Sequence, residues 1–450
     1  MSNIVDANFG SSARAQDIET YLADAAKDSL KYAFDKKFTV HAGKGSASLP
    51  KEDIPGRYLS LLNALNEPAA IYIHMPFCKT KCLYCGFAGK TPEDEMSYAY
   101  IDALIKETRF MGALKSVRNL PIRAVYLGGG TPTAMPPDGL AKLLAAVREN
   151  FNLANDCEIT LEGRVSDLVH AEAFVDAGFS RFSIGVQSFD TQIRKRLGRI
   201  NTGEEVVELL GNLINMHKAA VIIDLIYGLP GQSVEDFVAD LKLAEAIGVD
   251  GLDTYQLNVF PNSKLFKAIE SGTVPPAADL DQQGAYYKAA YEYLAGNRWK
   301  QLSISHYGRT SRERNVYNPW VKSKNNCIAM GAGAGGCLSG WDTYRLPIVE
   351  KYMGMAQSGA FFPDIMKEPD IQQKIHAGVV AEIEKGAFNY GRLFNEHNIN
   401  REPLQSVMQN WEQCGLVTMQ DDWMDLTVNG KFWGVNLTQA IINILDMKQQ

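Results

Sequence analysis

The amino-acid sequence predicts an α/β protein built on a partial (β/α)6 barrel, with an N-terminal extension and a small C-terminal α+β domain of winged-helix-like pattern. Three observations carry this expectation. The 450 residues exceed the roughly 250–300 at which one hydrophobic core stops growing, so more than one compact unit is expected. Short β-rich apolar runs at 70–75, 124–127, 158–161, 181–186, 221–226 and 252–259 alternate with amphipathic stretches such as 97–114, 139–147, 204–216 and 234–246. That alternation is the pattern of a parallel sheet with crossover helices. Polar residues or glycines recur where these runs end, and barrels of this kind gather their chemistry at the C-terminal ends of the strands.

Residues 1–67 form the extension, with helical periodicity over 18–34 and a polar, Gly/Ser-bearing connection over 41–53;. Residues 68–300 carry the barrel. Its first strand leads into His74 and a cysteine cluster, its second into Gly128, Gly129, Gly130 and Thr131, and its third into Glu162. The fourth ends at Gln187, the fifth carries Asp224, and the sixth ends near Asn258. Residues 301–364 read as a capping and connecting segment: a seventh apolar run at 302–305, a basic aromatic stretch at 309–320, and a glycine-rich loop at 331–336 that follows no dinucleotide-binding pattern;. Residues 365–450 show helical periodicity and then a hairpin pattern. Lys and Arg number 7 there against 11 Asp and Glu, which disfavours a phosphate-binding face and leaves a structural or substrate-covering module.

The 45 basic residues against 52 acidic ones give a formal charge of -7, so nucleic acid is not an expected partner. No uncharged apolar run reaches the roughly 18–20 residues of a membrane span, and residues 1–10 lack a basic region followed by an apolar stretch, so a cytoplasmic location is expected. The 7 cysteines are odd in number and do not suit a disulfide framework. Cys157, Cys327, Cys337 and Cys414 lie scattered in apolar or small-residue surroundings and read as buried small hydrophobes.

Cys78, Cys82 and Cys85 are different: three thiols spaced Cys-x3-Cys-x2-Cys on one loop indicate a metal site. Zinc would need a fourth protein ligand, for which His74 is the nearby candidate. A [4Fe-4S] cluster on three cysteines leaves one iron open to a cofactor, and the spacing favours this second arrangement.

The stretch from His74 through Pro76, Phe77, Cys78, Cys82, Tyr84 and Cys85 to Gly86 and Phe87 resembles the cluster loop of radical S-adenosylmethionine enzymes. The resemblance extends over roughly residues 68–340 to the branch typified by oxygen-independent coproporphyrinogen III oxidase, which acts on tetrapyrroles. It implies a radical S-adenosylmethionine barrel in which Cys78, Cys82 and Cys85 hold the [4Fe-4S] cluster. By the same resemblance Tyr72, Gly129, Gly130, Thr131 and Glu162 bind one S-adenosylmethionine molecule. Gln187, Arg199 and Asp224 match positions for a second, with Arg199 placed for its carboxylate and Asp224 counted among the catalytic residues. Asn258 and Gly335 occupy positions of main-chain contact with the cofactor.

Within the branch, three readings differ in kind. The oxidase usually has a loop ending Cys-Gly-Cys, whereas Phe87 stands here. The heme chaperone is typically shorter, with Cys-Asp-Phe. The anaerobic heme-degrading radical methyltransferase group is similar in length, extension and loop, and is the expected membership. It implies heme or a related tetrapyrrole as substrate, a flavodoxin-like or flavin reductase electron donor, and a heme-delivery protein. Arg309, Arg312 and Arg314, followed by Tyr317, Asn318 and Trp320, are expected to offer guanidinium forks and flat rings to that substrate if they face the barrel. His306, a lone histidine, reads as structural rather than as an axial ligand.

Overall fold

The computed structural model describes residues 18–39, 47–86, 90, 91, 93–397 and 402–447. Six parallel strands form the centre of one sheet: β1 (Ala69–Met75), β2 (Pro121–Gly129), β3 (Asn152–Arg164), β4 (Arg181–Gln187), β5 (Ala220–Tyr227) and β6 (Gly251–Gln256). They lie side by side in chain order, as right-handed crossovers through helices require. Beyond β6 the sheet continues antiparallel through β8 (His306–Gly308) to β7 (Lys300–Gln301). Beyond β1 it continues through β9 (Cys327–Met330), parallel to β1, and then β10 (Gly335–Leu338), β11 (Trp341–Tyr344) and β12 (Ile365–Lys367). The ordered sheet has β12 and β7 at its two ends, which makes the barrel partial.

The crossover helices start and stop where their sequences say they should. Thr202 with Glu205 and Ser233 with Asp236 form capping boxes at the helices Gly203–Asn215 and Val234–Ile247, satisfying backbone N–H groups that otherwise lack partners. β3 is longer than its apolar run: the polar residues before Glu158 extend the ladder, Asn152 pairing with Pro121 and Leu153 with Ile122. The run at 302–305 is a turn rather than a strand, and His306–Gly308 pairs antiparallel with β6, Gly308 opposite Gly251. The chain therefore leaves β8 at the N-terminal end of the barrel.

By its contacts the chain divides into two compact units, one of residues 46–279 and 292–370, the other drawing on residues 1–45, 280–291 and 371–450. The stretch expected to form one extension, 1–67, is thus shared between them. In the second unit, helix Ile371–Ile383, strand β13 (Ala387–Asn389), helices Tyr390–His397 and Glu402–Gln413, and the hairpin β14 (Val417–Gln420) with β15 (Trp423–Leu426) follow the winged-helix order. The expected helix over 18–34 is a 3-10 turn, Ile18–Tyr21, and one short helix, Ser29–Tyr32, started by the Asp28 side chain. Its apolar positions are docking points on the C-terminal helices. Asn410 accepts from the Ala23 N–H (2.7 Å) and donates to its carbonyl (3.1 Å). The Trp411 indole donates to the Tyr21 carbonyl (2.9 Å), and the Trp433 indole to that of Leu30 (3.0 Å).

Asn410→Ala leaves the Ala23 N–H without its partner and the Ala23 carbonyl with only the Cys414 thiol (3.5 Å), and should cost about 1–3 kcal/mol. Hydrogen exchange is expected to accelerate in residues 20–32 while the barrel strands keep their protection. Unchanged exchange in that segment would show that apolar contacts alone hold it.

Candidate functional site

Alternation along β1 buries Ile71, Ile73 and Met75 on one face and leaves Tyr72 and His74 half-buried on the other. Tyr72 lies beside Tyr126 of β2, and both rings stack on Tyr317, Tyr126 with a centroid distance of 4.4 Å. The Tyr126 hydroxyl donates to one oxygen of Glu162 (2.5 Å) and the Gly129 N–H to the other (3.0 Å). Burial pushes the Glu162 carboxyl up, while these donors and Arg181 draw it back.

The end of β2 and the start of the cysteine loop are packed backbone to backbone. Gly130 N–H donates to the Met75 carbonyl (2.8 Å) and Thr131 N–H to that of Phe77 (2.7 Å). A Cβ at Gly130 would lie 2.4 Å from the Phe77 oxygen, so only glycine permits this approach. Gly129 has φ +115, a conformation that also favours glycine. The loop at 331–335 holds the other side: Ala332 N–H donates to the Tyr100 hydroxyl, which donates to the His74 carbonyl, each 2.8 Å. His74 shares a 2.8 Å hydrogen bond with Tyr72, and burial lowers its imidazole to about 4, so it is neutral.

Cys78, Cys82 and Cys85 form no disulfide, Cys82 buried and the other two half-buried. Thr131 donates to the Cys78 sulfur (3.5 Å) and Arg199 to that of Cys82 (3.7 Å). Leu83 and Tyr84 pin the loop to an apolar cluster that includes Leu197, Leu229 and Leu265. Among the described residues no three His, Cys, Asp or Glu side chains are gathered to hold a single metal ion. A cubane cluster asks for something else, one thiolate per iron, and three thiols outside any disulfide on one loop suit it. Phe87 lies outside the described residues.

At the end of β4 the ladder bulges between Gly185 and Gln187, and Gln187 takes φ +77. Strain of this kind in a non-glycine residue costs on the order of 1–3 kcal/mol and concentrates at functional sites. The Gln187 Oε1 and the Arg199 Nε are both buried without a hydrogen-bond partner, and Arg199 donates to the Gly185 carbonyl (2.5 Å). Asp224 of β5 is pushed up to about 7 by burial, then by the charges of Asp253 and Glu162, with Arg181 and His306 acting against them. Below these groups runs a closed network: Arg181 pairs with Glu313 through two bonds (2.9 and 3.0 Å), and His306 bridges Asp253 (2.9 Å) and Glu313 (3.0 Å). Burial would lower His306, but the two carboxylates prevail and raise it to about 9. Both its nitrogens are engaged, which agrees with a structural role.

Asn258 follows β6 in the connecting segment, and Gly335 opens β10 with its Cα facing the Tyr344 ring. Arg309, Arg312 and Arg314 are not at the mouth. They bind the Glu245, His217 and Asp156 carbonyls, Arg312 at 2.9 Å and Arg314 at 2.5 Å, around the N-terminal ends of the strands, because β8 runs antiparallel and delivers the chain there. Tyr317 alone of that segment's rings joins the tyrosine stack. Three features escaped the sequence reading: the hydroxyl partner Tyr126, the network around His306, and Arg164, which ends β3 two residues after Glu162. Extending the strand through its polar residues would have exposed Arg164.

The radical SAM superfamily pattern matches residues 72–244. Anaerobilin synthase of Escherichia coli O157:H7 is 33% identical over 412 residues, covering 90% of this chain and 91% of that protein. Heme chaperone HemW of Escherichia coli strain K12 is 33% identical over 279 residues, covering 60% of this chain and 70% of that one. Among solved structures, coproporphyrinogen III oxidase from Escherichia coli superposes with a TM-score of 0.74 at 19% identity, covering 90% of this chain and 96% of that one.

Asp224 supplies a test of the site's electrostatics. Its folded carboxyl sits near 7, above the ordinary 3.8, so its contribution to stability is complete below that ordinary value and is lost as pH rises through 7. Asp224→Asn should raise the melting temperature at pH 8 by roughly 2–4 °C and give no gain at pH 4. An equal shift at both pH values would mean that Asp224 is not held protonated.

Proposed function

We propose that this chain, which belongs to the radical SAM superfamily, degrades heme anaerobically by radical methyl transfer to the porphyrin, which opens the macrocycle and releases iron. The observation that carries the reading is the 33% identity to anaerobilin synthase over 90% of this chain and 91% of that one, where heme chaperones match at 33% over 60% of the chain or at 28% over 84% of it.

Cys78, Cys82 and Cys85 would hold the [4Fe-4S] cluster. When bound, that cluster supplies the electron that cleaves S-adenosylmethionine to a 5'-deoxyadenosyl radical. Tyr72, the main chain at Gly129, Gly130 and Thr131, and the Glu162 carboxylate would orient one cofactor molecule beside the loop. Gln187 and Arg199 offer a second molecule what an amino-acid headgroup needs. A buried acceptor without a donor suits its ammonium, and a buried guanidinium N–H without an acceptor suits its carboxylate. Asp224 completes that position, and Asn258 and Gly335 would add main-chain contacts. The tyrosine stack and the closed network beneath it keep water from entering through the barrel floor. A flavodoxin-like protein or flavin reductase would deliver the electron, and a heme-delivery protein the substrate.

The cluster-reconstituted protein, given heme, S-adenosylmethionine and a strong reductant without oxygen, should lose the heme Soret band and form both 5'-deoxyadenosine and S-adenosylhomocysteine. Tight heme binding with an unchanged Soret band would instead identify a chaperone. Cys82→Ala should abolish turnover. Asp224→Ala should reduce S-adenosylhomocysteine formation at least tenfold and 5'-deoxyadenosine formation much less; equal loss of both would place Asp224 outside the second cofactor position.

A further inference from the structure

In a chain of net charge -7, one cleft at the barrel mouth is cationic. It is lined by Thr80 of the cysteine loop, Arg164 at the end of β3 and Ser166 beyond it, Gly185, and Arg194 and Arg199. Among the described residues none of these three guanidiniums is in an ion pair. Arg194 is spent: buried, it donates to the carbonyls of Val186 (2.7 Å), Ser188 (2.9 Å) and Asn201 (2.7 Å). Arg199 is turned inward to Gly185 and Cys82. Arg164 has one side-chain bond, from Nη1 to the Thr80 hydroxyl, which leaves the rest of its fork for a ligand. Its backbone is fixed by a bond from its N–H to Thr133 (3.2 Å), so the fork stands on a strand end rather than on a free loop.

Ile200, which follows Arg199 and lines the cleft, is 69% exposed. Phe260, 48% exposed, lies against Gly86 of the cysteine loop, 3.9 Å from where a Cβ would stand. Large apolar side chains held out to water beside an uncompensated guanidinium ask for a ligand with an apolar body and an anionic group.

We infer that Arg164 is a substrate-binding residue that takes a carboxylate of the substrate, setting a carboxylate-bearing macrocycle over the cysteine loop. This deepens the heme reading and rests on it: the carboxylate would be a propionate side chain. It also assigns to the end of β3 the contact that the 309–314 arginines, at the opposite end of the strands, cannot make.

Heme and heme dimethyl ester, in which both carboxylates are capped, separate the two questions. Titrated into the cluster-reconstituted full chain and followed by absorbance, heme should bind about tenfold more tightly than the diester. Arg164→Gln should weaken heme about tenfold and leave the diester within about twofold, so that the preference disappears. Arg164→Lys should keep part of it. Thr80→Val, which removes the bond to the loop and keeps the guanidinium, should retain the preference. A preference that survives Arg164→Gln, or one that Thr80→Val also abolishes, overturns the assignment while heme binding itself stands. Failure of the unaltered protein to bind either compound overturns the heme reading, and this inference with it.

Discussion

The barrel interior depends on a shortage of positive charge. Four carboxylates, Glu162, Asp224, Asp253 and Glu313, meet there with Arg181 and His306 as the cations that act on them. Arg181 and His306 are consumed by Glu313 and Asp253 in the closed network at the floor. Among the described residues the upper pair has no ion pair of its own, and both Glu162 and Asp224 are raised despite the charge of Arg181. Buried charges without partners are expensive, and proteins usually avoid the cost by neutralisation. Protonation offsets that cost at Asp224, whose carboxyl is held up to about 7, and a bound cation would offset it at either group.

A second constraint is geometric. The cysteine loop is not free to choose its place: the Gly130 main chain presses on Phe77, the 331–335 loop grips the His74 carbonyl through Tyr100, and the half-buried Leu83 packs against an apolar cluster. A loop whose thiolates must each meet a different iron gains from being held at both ends, because a preformed site avoids the entropy of ordering it on binding. The glycines at the end of β2 therefore have a packing reason of their own, independent of any ligand.

Much of this was readable before the structure. The cysteine spacing, the placement of Glu162, Gln187 and Asp224 on successive strands, and the helix-then-hairpin order of the C-terminal unit all follow from local pattern. What was hidden depended on chain direction and on side chain-to-backbone bonds. Arg309, Arg312 and Arg314 change ends of the barrel because the short strand before them runs antiparallel, and a three-residue strand announces no direction. Arg164 lay beyond the apolar part of β3, where polar residues continue the ladder. The docking of residues 21–32 rests on Asn410, Trp411 and Trp433, hundreds of positions away, and no periodicity records a partner at that distance.

If Cys78, Cys82 and Cys85 hold an iron-sulfur cluster whose open iron takes S-adenosylmethionine, electron paramagnetic resonance of the anaerobically reconstituted and reduced protein should show a reduced [4Fe-4S] signal whose g-values shift when S-adenosylmethionine is added. Both signal and shift should be lost on replacing Cys82 by alanine. A protein that takes up zinc in place of the cluster, or a cluster signal indifferent to S-adenosylmethionine, would contradict this assignment.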